Sequence, residues 1–532
     1  MHDIGPFSIP AMRSFVPEKL RPWIMILFAV IFQLSGGVYL ATVSEMVGSL
    51  SLMREDVTMA GAASLVGLAL TFTIMFRLKF RFSSKVALLT CCSVIIACNL
   101  ICMHTDSVPV LVATCFVAGV FRMWGTFECN STIQLWITPK RDLSIFFCYI
   151  NLIVQGMIQF TGLAAIYTSF LSKWEYMHWV VVALLGLVMI ATVILFRTYR
   201  SMKKLPLFGI DWLGALMWGL TILCVIFLCI YGEHYDWCDS EQIQMATIFG
   251  VVLLLLNLWR AKTIRHPYIS LPTWKFRTVY ITFFIYLVVF ILISPMHVIE
   301  HAYMEHILGY DSLNVISTNW IVILGIATAS IFMYRTFALK KWSYKRATVI
   351  GFSAIVAHLM IFYFMIDYNL PKESLILPIF LRSFGFIVIS ICFLTALTQV
   401  PFRYFWEALT IQAFVDACFG EFFGAAVLGR AMKFVMAKNT MLLGAKLDNV
   451  NVVANQLSKG ELFGALQQQA LIVSMKELYG WLLMFGIFCL VVFLLKESSL
   501  RPKFAVHPKF RTIRRWIKHD LREDEAIAKQ DF

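Results

Sequence analysis

Six ionisable side chains, Glu45, Arg122, Glu128, Arg382, Asp416 and Glu421, lie inside long apolar runs of this sequence. An ionised group at the centre of a bilayer-spanning helix costs about 2.5–3.5 kcal/mol on an insertion scale, so each is expected to face a cavity or a partner. Desolvation pushes a carboxyl group there toward its protonated form and a neighbouring cation pushes it back. That balance equips it to exchange protons as a cavity opens to alternate sides. Asp416 and Glu421 are the leading candidates for this role, with Glu128 and Glu45 nearer the two surfaces. Arg122 and Arg382 are the candidates to bias such a carboxylate or to hold an anionic substrate. Arg122 and Glu128 fall about 240° apart on one helix, so each must find its partner elsewhere.

A different chemistry is spelled by His297-Val298-Ile299-Glu300-His301, which fits H-x-x-E-H. On a helix that spacing presents two histidines one turn apart as zinc ligands with a glutamate beside them. With Glu305 close behind, the residues read either as a pH-sensitive polar cluster near an external gate or as ordinary polar lining, without a metal. The alternative is a membrane-embedded metalloenzyme using His297, Glu300 and His301.

These residues must be positioned by membrane helices. The 532 residues are 60% hydrophobic and only 14% charged, far from the roughly 25% charged content of soluble domains. Apolar surface in that quantity is hidden only by repeated spanning at about 20 residues per helix. Apolar runs place spans at 23–52, 57–76, 86–103, 109–136, 143–170, 177–196, 209–232, 242–259, 279–302, 312–334, 347–366, 376–398, 406–437 and 477–495. The first run is too long for a signal-peptide core and reads as a retained helix. The thirteen cysteines lie almost all in apolar runs without C-x-x-C spacing and read as small core residues. Gly420 and Gly424 form a small-xxx-small pair that marks close helix packing.

Of the 45 Lys and Arg, 34 fall on the side of the termini, seven on the opposite side, and four (Arg122, Arg382, Arg430 and Lys433) within helices. The net charge of +14 is thus a topology signal that sets both termini in the cytoplasm, and no basic soluble domain is present to bind nucleic acid. No G-x-x-x-x-G-K-[ST] loop occurs, so an ion gradient is the expected drive and no cofactor is expected. Residues 438–476 read as the one long external loop, with apolar positions among polar ones that could hold a short helix or a docking surface. In the basic tail, Phe510, Ile513, Ile517 and Leu521 recur at helical spacing beside Arg511, Arg514, Arg515 and Lys518, as in a helix lying on anionic lipid.

An internal repeat organises the spans. Arg122-Met123-Trp124-Gly125 and Arg382-Ser383-Phe384-Gly385 share R-x-aromatic-G at an offset of 260 residues. Met75-Phe76-Arg77 and Met333-Tyr334-Arg335 match at an offset of 258. The offsets map span 2 onto 10 and span 4 onto 12, giving a six-helix unit repeated after two inserted helices. The expected organisation is 1–200 for the first bundle, 201–265 for the insert, 266–500 for the second bundle and 501–532 for the tail.

The residues resemble the major facilitator superfamily and, within it, the fourteen-helix drug:proton antiporter family. Asp211-Trp212-Leu213-Gly214 with Trp237 and Ser240 is similar to that family's D-W-x-G opening and the W and S after it. His266-Pro267 through Leu271, Phe276 and Arg277 resembles P-x-I-x-L-x-x-F-R, Tyr303 to Tyr310 resembles Y-L-Q-x-x-L-G-Y, and Trp174-Glu175-Tyr176 sits where the family has W-R-W. Arg122 matches the family's helix 4 arginine. Elsewhere the pattern departs. Phe76 to Arg81 lacks the loop Gly and Asp, Ser35 replaces the helix 1 Asp, and Gly162-Leu163 with Ile166-Tyr167 keeps one glycine of the antiporter motif. The resemblance implies an all-α polytopic fold of two six-helix bundles plus two inserted helices. It further implies a proton-coupled exporter of lipophilic or amphipathic small molecules in the cell inner membrane, with organic-anion uptake as the second transport reading. By analogy, 438–476 would meet a periplasmic adaptor and an outer-membrane channel.

Overall fold

The computed structural model describes residues 12–36, 43–50, 52–198, 205–447 and 456–495, with backbone only at 44, 45, 49 and 50. In chain order the principal helices are α1 (Arg21–Leu34), α2 (Val43–Leu50), α3 (Arg54–Arg81), α4 (Ser84–Met103), α5 (Val108–Ile137), α6 (Leu143–Leu171) and α7 (Tyr176–Leu195). They continue as α8 (Trp212–Tyr231), α9 (Glu241–Thr263), α10 (Arg277–Ile307), α11 (Ser312–Leu339), α12 (Tyr344–Met365), α13 (Lys372–Leu397), α14 (Phe402–Gly444) and α15 (Lys459–Leu495). Thirteen of them are long and apolar enough to cross a membrane, and α1 is a shorter apolar helix. The first predicted span, 23–52, is therefore divided between α1 and α2. Backbone donors and acceptors satisfied within each helix are what a hydrocarbon solvent demands. The outward faces agree, as in α9, where Met245, Ile248, Val252, Leu255 and Trp259 are exposed. The chain is a multi-pass membrane protein. Below, the face where α1 begins is the terminus face and the other is the far face.

The buried apolar residues form two main clusters. One is centred on α1 and α3 to α9 and the other on α10 to α15, and from Phe405 to Cys418 the start of α14, a helix of the second group, packs into the first cluster. Within each, helices cross closely at small residues. A Cβ on Gly67 would lie 2.1 Å from the Phe116 carbonyl oxygen, and one on Gly119 1.9 Å from that of Ser64, which pins α3 to α5. In the second cluster a Cβ on Gly325 would lie 1.9 Å from Ser383 Oγ, pinning α11 to α13. Gly67 and Gly325 are 258 residues apart, the spacing of the repeat in sequence. Gly420 and Gly424 pack on the Phe290 ring and carbonyl of α10, the close approach expected of them.

The insert is tied in by polar clips. Asp211 caps α8 by accepting from Gly214 N (2.9 Å) and takes Arg260 of α9 on two nitrogens (2.7 and 3.0 Å), so the D-W-x-G motif closes the α8–α9 hairpin. The following segment is clipped twice, by Tyr268 donating to the Leu70 carbonyl of α3 and by Ser270 and Thr273 donating to Glu407 of α14.

Two expectations are corrected. Residues 438–476 are largely helical, because α14 runs on to Gly444 and α15 begins at Lys459. The extensions are held together by a Lys438–Glu477 ion pair and by Asn439 donating to Ser474 (3.0 Å), a pairing of polar residues invisible as a helix signal in hydropathy alone. Lys79, counted above as a loop cation, lies within α3 and is buried. The tail helix at 510–521 falls outside the described residues.

Gly119→Leu should force α3 and α5 apart and destabilise the protein by about 1–3 kcal/mol or more, as overpacking does. Gly186→Ala, where an added Cβ meets nothing within 4 Å, should be neutral. Thermal melting of the two purified variants beside wild type checks both.

Candidate functional site

Between the two groups of helices lies a cavity of about 1440 Å³. Its lining runs from Arg54, Glu55 and Asn319 at the far face, past Arg122, Asp416 and Glu421, to Val400, Phe402 and Trp406 toward the terminus face. The groups meet along α6 and α11 and through Ser390 donating to Asn151 (2.9 Å), and they close the cavity at its terminus end. Phe76 meets Phe402 (5.6 Å between ring centroids) and Trp406 (5.9 Å), and Phe127 meets Trp406 (5.7 Å). Thr73 and Thr410 share a 2.6 Å hydrogen bond, and Lys341 pairs with Asp142, the residue that also caps α6 through Ser144 N. Toward the far face the groups touch laterally, at Phe160 and Trp320.

Arg122, on α5, is 5% exposed. Its Nη1 occupies the space where a Cβ on residue 36 would sit, 1.0 Å away, so the glycine after α1 makes room for the guanidinium. Its Nε is buried without a hydrogen-bond partner among the described residues. Beside it Gln33 donates to Thr126 (3.0 Å), stitching α1 to α5. Asp416 lies on the opposite wall in a π-helical turn of α14, Phe414–Phe419. Such turns interrupt α-helices most often at functional sites. Asp416 Oδ1 is buried and unpartnered, as is Oε1 of Gln412 one turn earlier. The Gln412 amide nitrogen is engaged by Tyr286 (2.8 Å), which turns the amide oxygen away from that contact.

The H-x-x-E-H residues do not converge. Pro295 denies α10 one backbone donor, and Ser294 Oγ takes over the Ile291 carbonyl that it would have served (2.7 Å). The helix then passes through two π-helical turns, Met296–Glu300 and Tyr303–Ile307. These turns hold more residues each than an α-turn, so Glu300 swings away from His297. His297 Nε2 pairs with Glu421 (2.8 Å), and His301 Nδ1 with Glu305 (3.1 Å). Glu300 turns into the second cluster to pair with Arg382, with His358 Nε2 at 3.4 Å from its other oxygen. Among the described residues no group of three His, Cys, Asp or Glu side chains is placed to hold a metal ion. The zinc-site reading of His297, Glu300 and His301 is thereby corrected.

Glu128 forms a buried ion pair with Lys79 (2.6 Å), and Lys79 also donates to Thr132 (3.0 Å). Arg382 is thus committed to Glu300 and Glu128 to Lys79. Glu300 and Arg382 border the cavity as a buried pair, Glu421 borders it paired with His297, and Asp416 and Arg122 border it outside any ion pair among the described residues. Glu45 lies in α2, and its side chain is outside the described residues. Sequence reasoning missed His358 and Lys79. His358 is a lone histidine in an apolar run, and Lys79 was masked by Arg77 and Arg81 on either side.

No family model matches the chain, and no curated protein matches it. Solved structures do. The chain aligns with the peptide transporter PepTSo2 at TM-score 0.56 and 11% identity, covering 90% of this chain and 98% of that one. A mutant of the peptide transporter POT in complex with alafosfalin aligns at TM-score 0.53 and 15% identity, covering 91% and 97%. A mutant of the nucleoside transporter NupG aligns at TM-score 0.51 and 12% identity, covering 89% and 98%. This chain has the major facilitator fold. At such identities the likeness carries the architecture alone, and it accounts for the two groups of helices around one cavity.

Removing one member of a buried ion pair strands the other charge at a cost of about 3–5 kcal/mol. Arg382→Met and Glu300→Gln should therefore each lower the melting temperature sharply. The double variant should recover most of the loss, read as a double-mutant cycle.

Proposed function

We propose that the protein is a proton-coupled secondary active transporter that moves amphipathic small molecules by alternating access. The observation that carries this reading is the large cavity between the two groups of helices, closed at the terminus face by Phe76, Phe127, Phe402 and Trp406. The excess of Lys and Arg at that face favours a cytoplasmic placement, which makes this an outward-facing conformation. Separation of the aromatic contacts, of Thr73 from Thr410 and of Lys341 from Asp142 would expose the same cavity to the cytoplasm. Phenylalanines at 72, 146, 147, 290 and 386 supply the apolar lining for an amphipathic body.

Asp416 and Glu421, two carboxylates that line this space outside any pair with Arg or Lys among the described residues, are the proposed proton carriers. Export is the direction that the resemblance of the sequence to drug:proton antiporters favours. The second reading, uptake of an organic anion, is favoured by Arg122, which faces the cavity without a carboxylate partner among the described residues.

In proteoliposomes, an imposed proton gradient should drive accumulation of a fluorescent amphipathic amine, and Asp416→Asn should reduce the initial rate at least tenfold. Accumulation independent of the gradient, or an unaffected variant, removes Asp416 from coupling.

A further inference from the structure

The ionisable side chains that border the cavity below its far-face mouth are Arg122, His297, Glu300, His301, Arg382, Asp416 and Glu421. Most are matched, as His297–Glu421, Glu300–Arg382 and His301 with Glu305. The remainder is one cation and one carboxyl group, and they stand on opposite walls, Arg122 on α5 and Asp416 on α14. Among the described residues, the buried atoms left without a hydrogen-bond partner beside these two charges are a donor on the first wall, Arg122 Nε, and two acceptors on the second, Asp416 Oδ1 and Gln412 Oε1. The other such atoms of lining residues are Glu300 Oε1, which faces His358, and Trp406 Nε1, which lies at the terminus-face closure.

Buried polar groups in native proteins are paired, and those left open at a cavity mark what the cavity is built to receive. A lone guanidinium is complementary to a carboxylate, sulfonate or phosphate. Two oxygen acceptors one helical turn apart suit an ammonium group, which carries donors only. We propose that the substrate is amphoteric, with an anionic group bound by Arg122 and a protonated amine bound by Asp416 and Gln412, spanned by an apolar body. This rests on the cavity being the substrate site of a transporter and narrows the class of substrate. It also explains why a simple organic anion or a simple lipophilic cation is a poorer fit. Either one satisfies a single wall and leaves the other wall's charge desolvated when the cavity closes.

The test is equilibrium dialysis of ω-amino alkanoates of six to twelve carbons against the full-length protein in nanodiscs. Each is compared with the alkylamine and alkanoate of equal length, and empty nanodiscs are subtracted. At its best length the amino alkanoate should bind at least tenfold more tightly than either singly charged partner. Arg122→Gln should bring its affinity down to that of the amine while leaving amine binding within twofold, and Arg122→Lys should retain most of the preference. Asp416→Asn should weaken the amino alkanoate and the amine together and spare the alkanoate. If at every length the amine or the alkanoate alone binds as tightly as the amino alkanoate, the proposal is overturned on wild-type protein, whether or not a variant folds. Equal loss of all three probes in Arg122→Gln of wild-type melting temperature overturns it as well. Proton-driven flux in proteoliposomes keeps the two ideas apart. Flux without amphoteric preference removes only this inference, and preference without flux removes the transport reading.

Discussion

Charge placed at hydrocarbon depth must be paired or given water, and this structure meets that demand in three ways. Lys79 and Glu128 are sealed within the first group of helices, and Glu300 with Arg382 and His358 within the second. His297 and Glu421 pair at the cavity wall. Arg122 and Asp416 are left to the cavity itself. Sealed pairs join helices of one group and hold them as a unit, since neither charge can leave without stranding the other. Open charges do the opposite, because their free energy depends on what enters the cavity and on which side admits it. The same physical cost therefore separates scaffold from site.

Closure at the terminus face follows a different logic. Phe76, Phe127, Phe402 and Trp406 meet edge to face or tilted, contacts worth about 0.5–1.5 kcal/mol per pair beyond area burial. A few such contacts, one hydroxyl pair and one exposed ion pair exclude water. Contacts of this size are individually weak, as the proposed rocking between the two groups would need.

The matched segments of the two halves have a physical counterpart in the packing. Gly67 and Gly119 in one group, and Gly325 against Ser383 in the other, let the corresponding helix pairs approach to backbone contact. Without a hydrophobic drive between helices in lipid, such close crossings supply the packing that defines the bundle. Motif residues of the loop after α3 are absent while these crossings remain, which is consistent with an intact architecture and altered surface chemistry. The insert depends on a different device, the Asp211–Arg260 clip, whose parts are 49 residues apart and meet only because α8 and α9 are antiparallel neighbours.

The sequence by itself determined the helical class, most spans, the repeat and the orientation signal. These follow from hydropathy, length and Lys/Arg placement, which are local properties that lipid reads directly. It also singled out the charges inside apolar runs, because their cost does not depend on the partner. The partners were decided only by the tertiary structure. Nothing local shows that Glu128 meets Lys79, that Glu300 leaves the histidines beside it for Arg382, or that Arg122 rests over Gly36. Each depends on helix rotation, and in α10 that rotation is set by Pro295 and two π-helical turns that a regular helical period does not encode. The extended helices of 438–476 escaped notice for the same reason, since their support is a cross-helix pair and not an apolar run. Which carboxyl groups face water was thus a question about angles between helices, and only the assembled bundle fixes those angles.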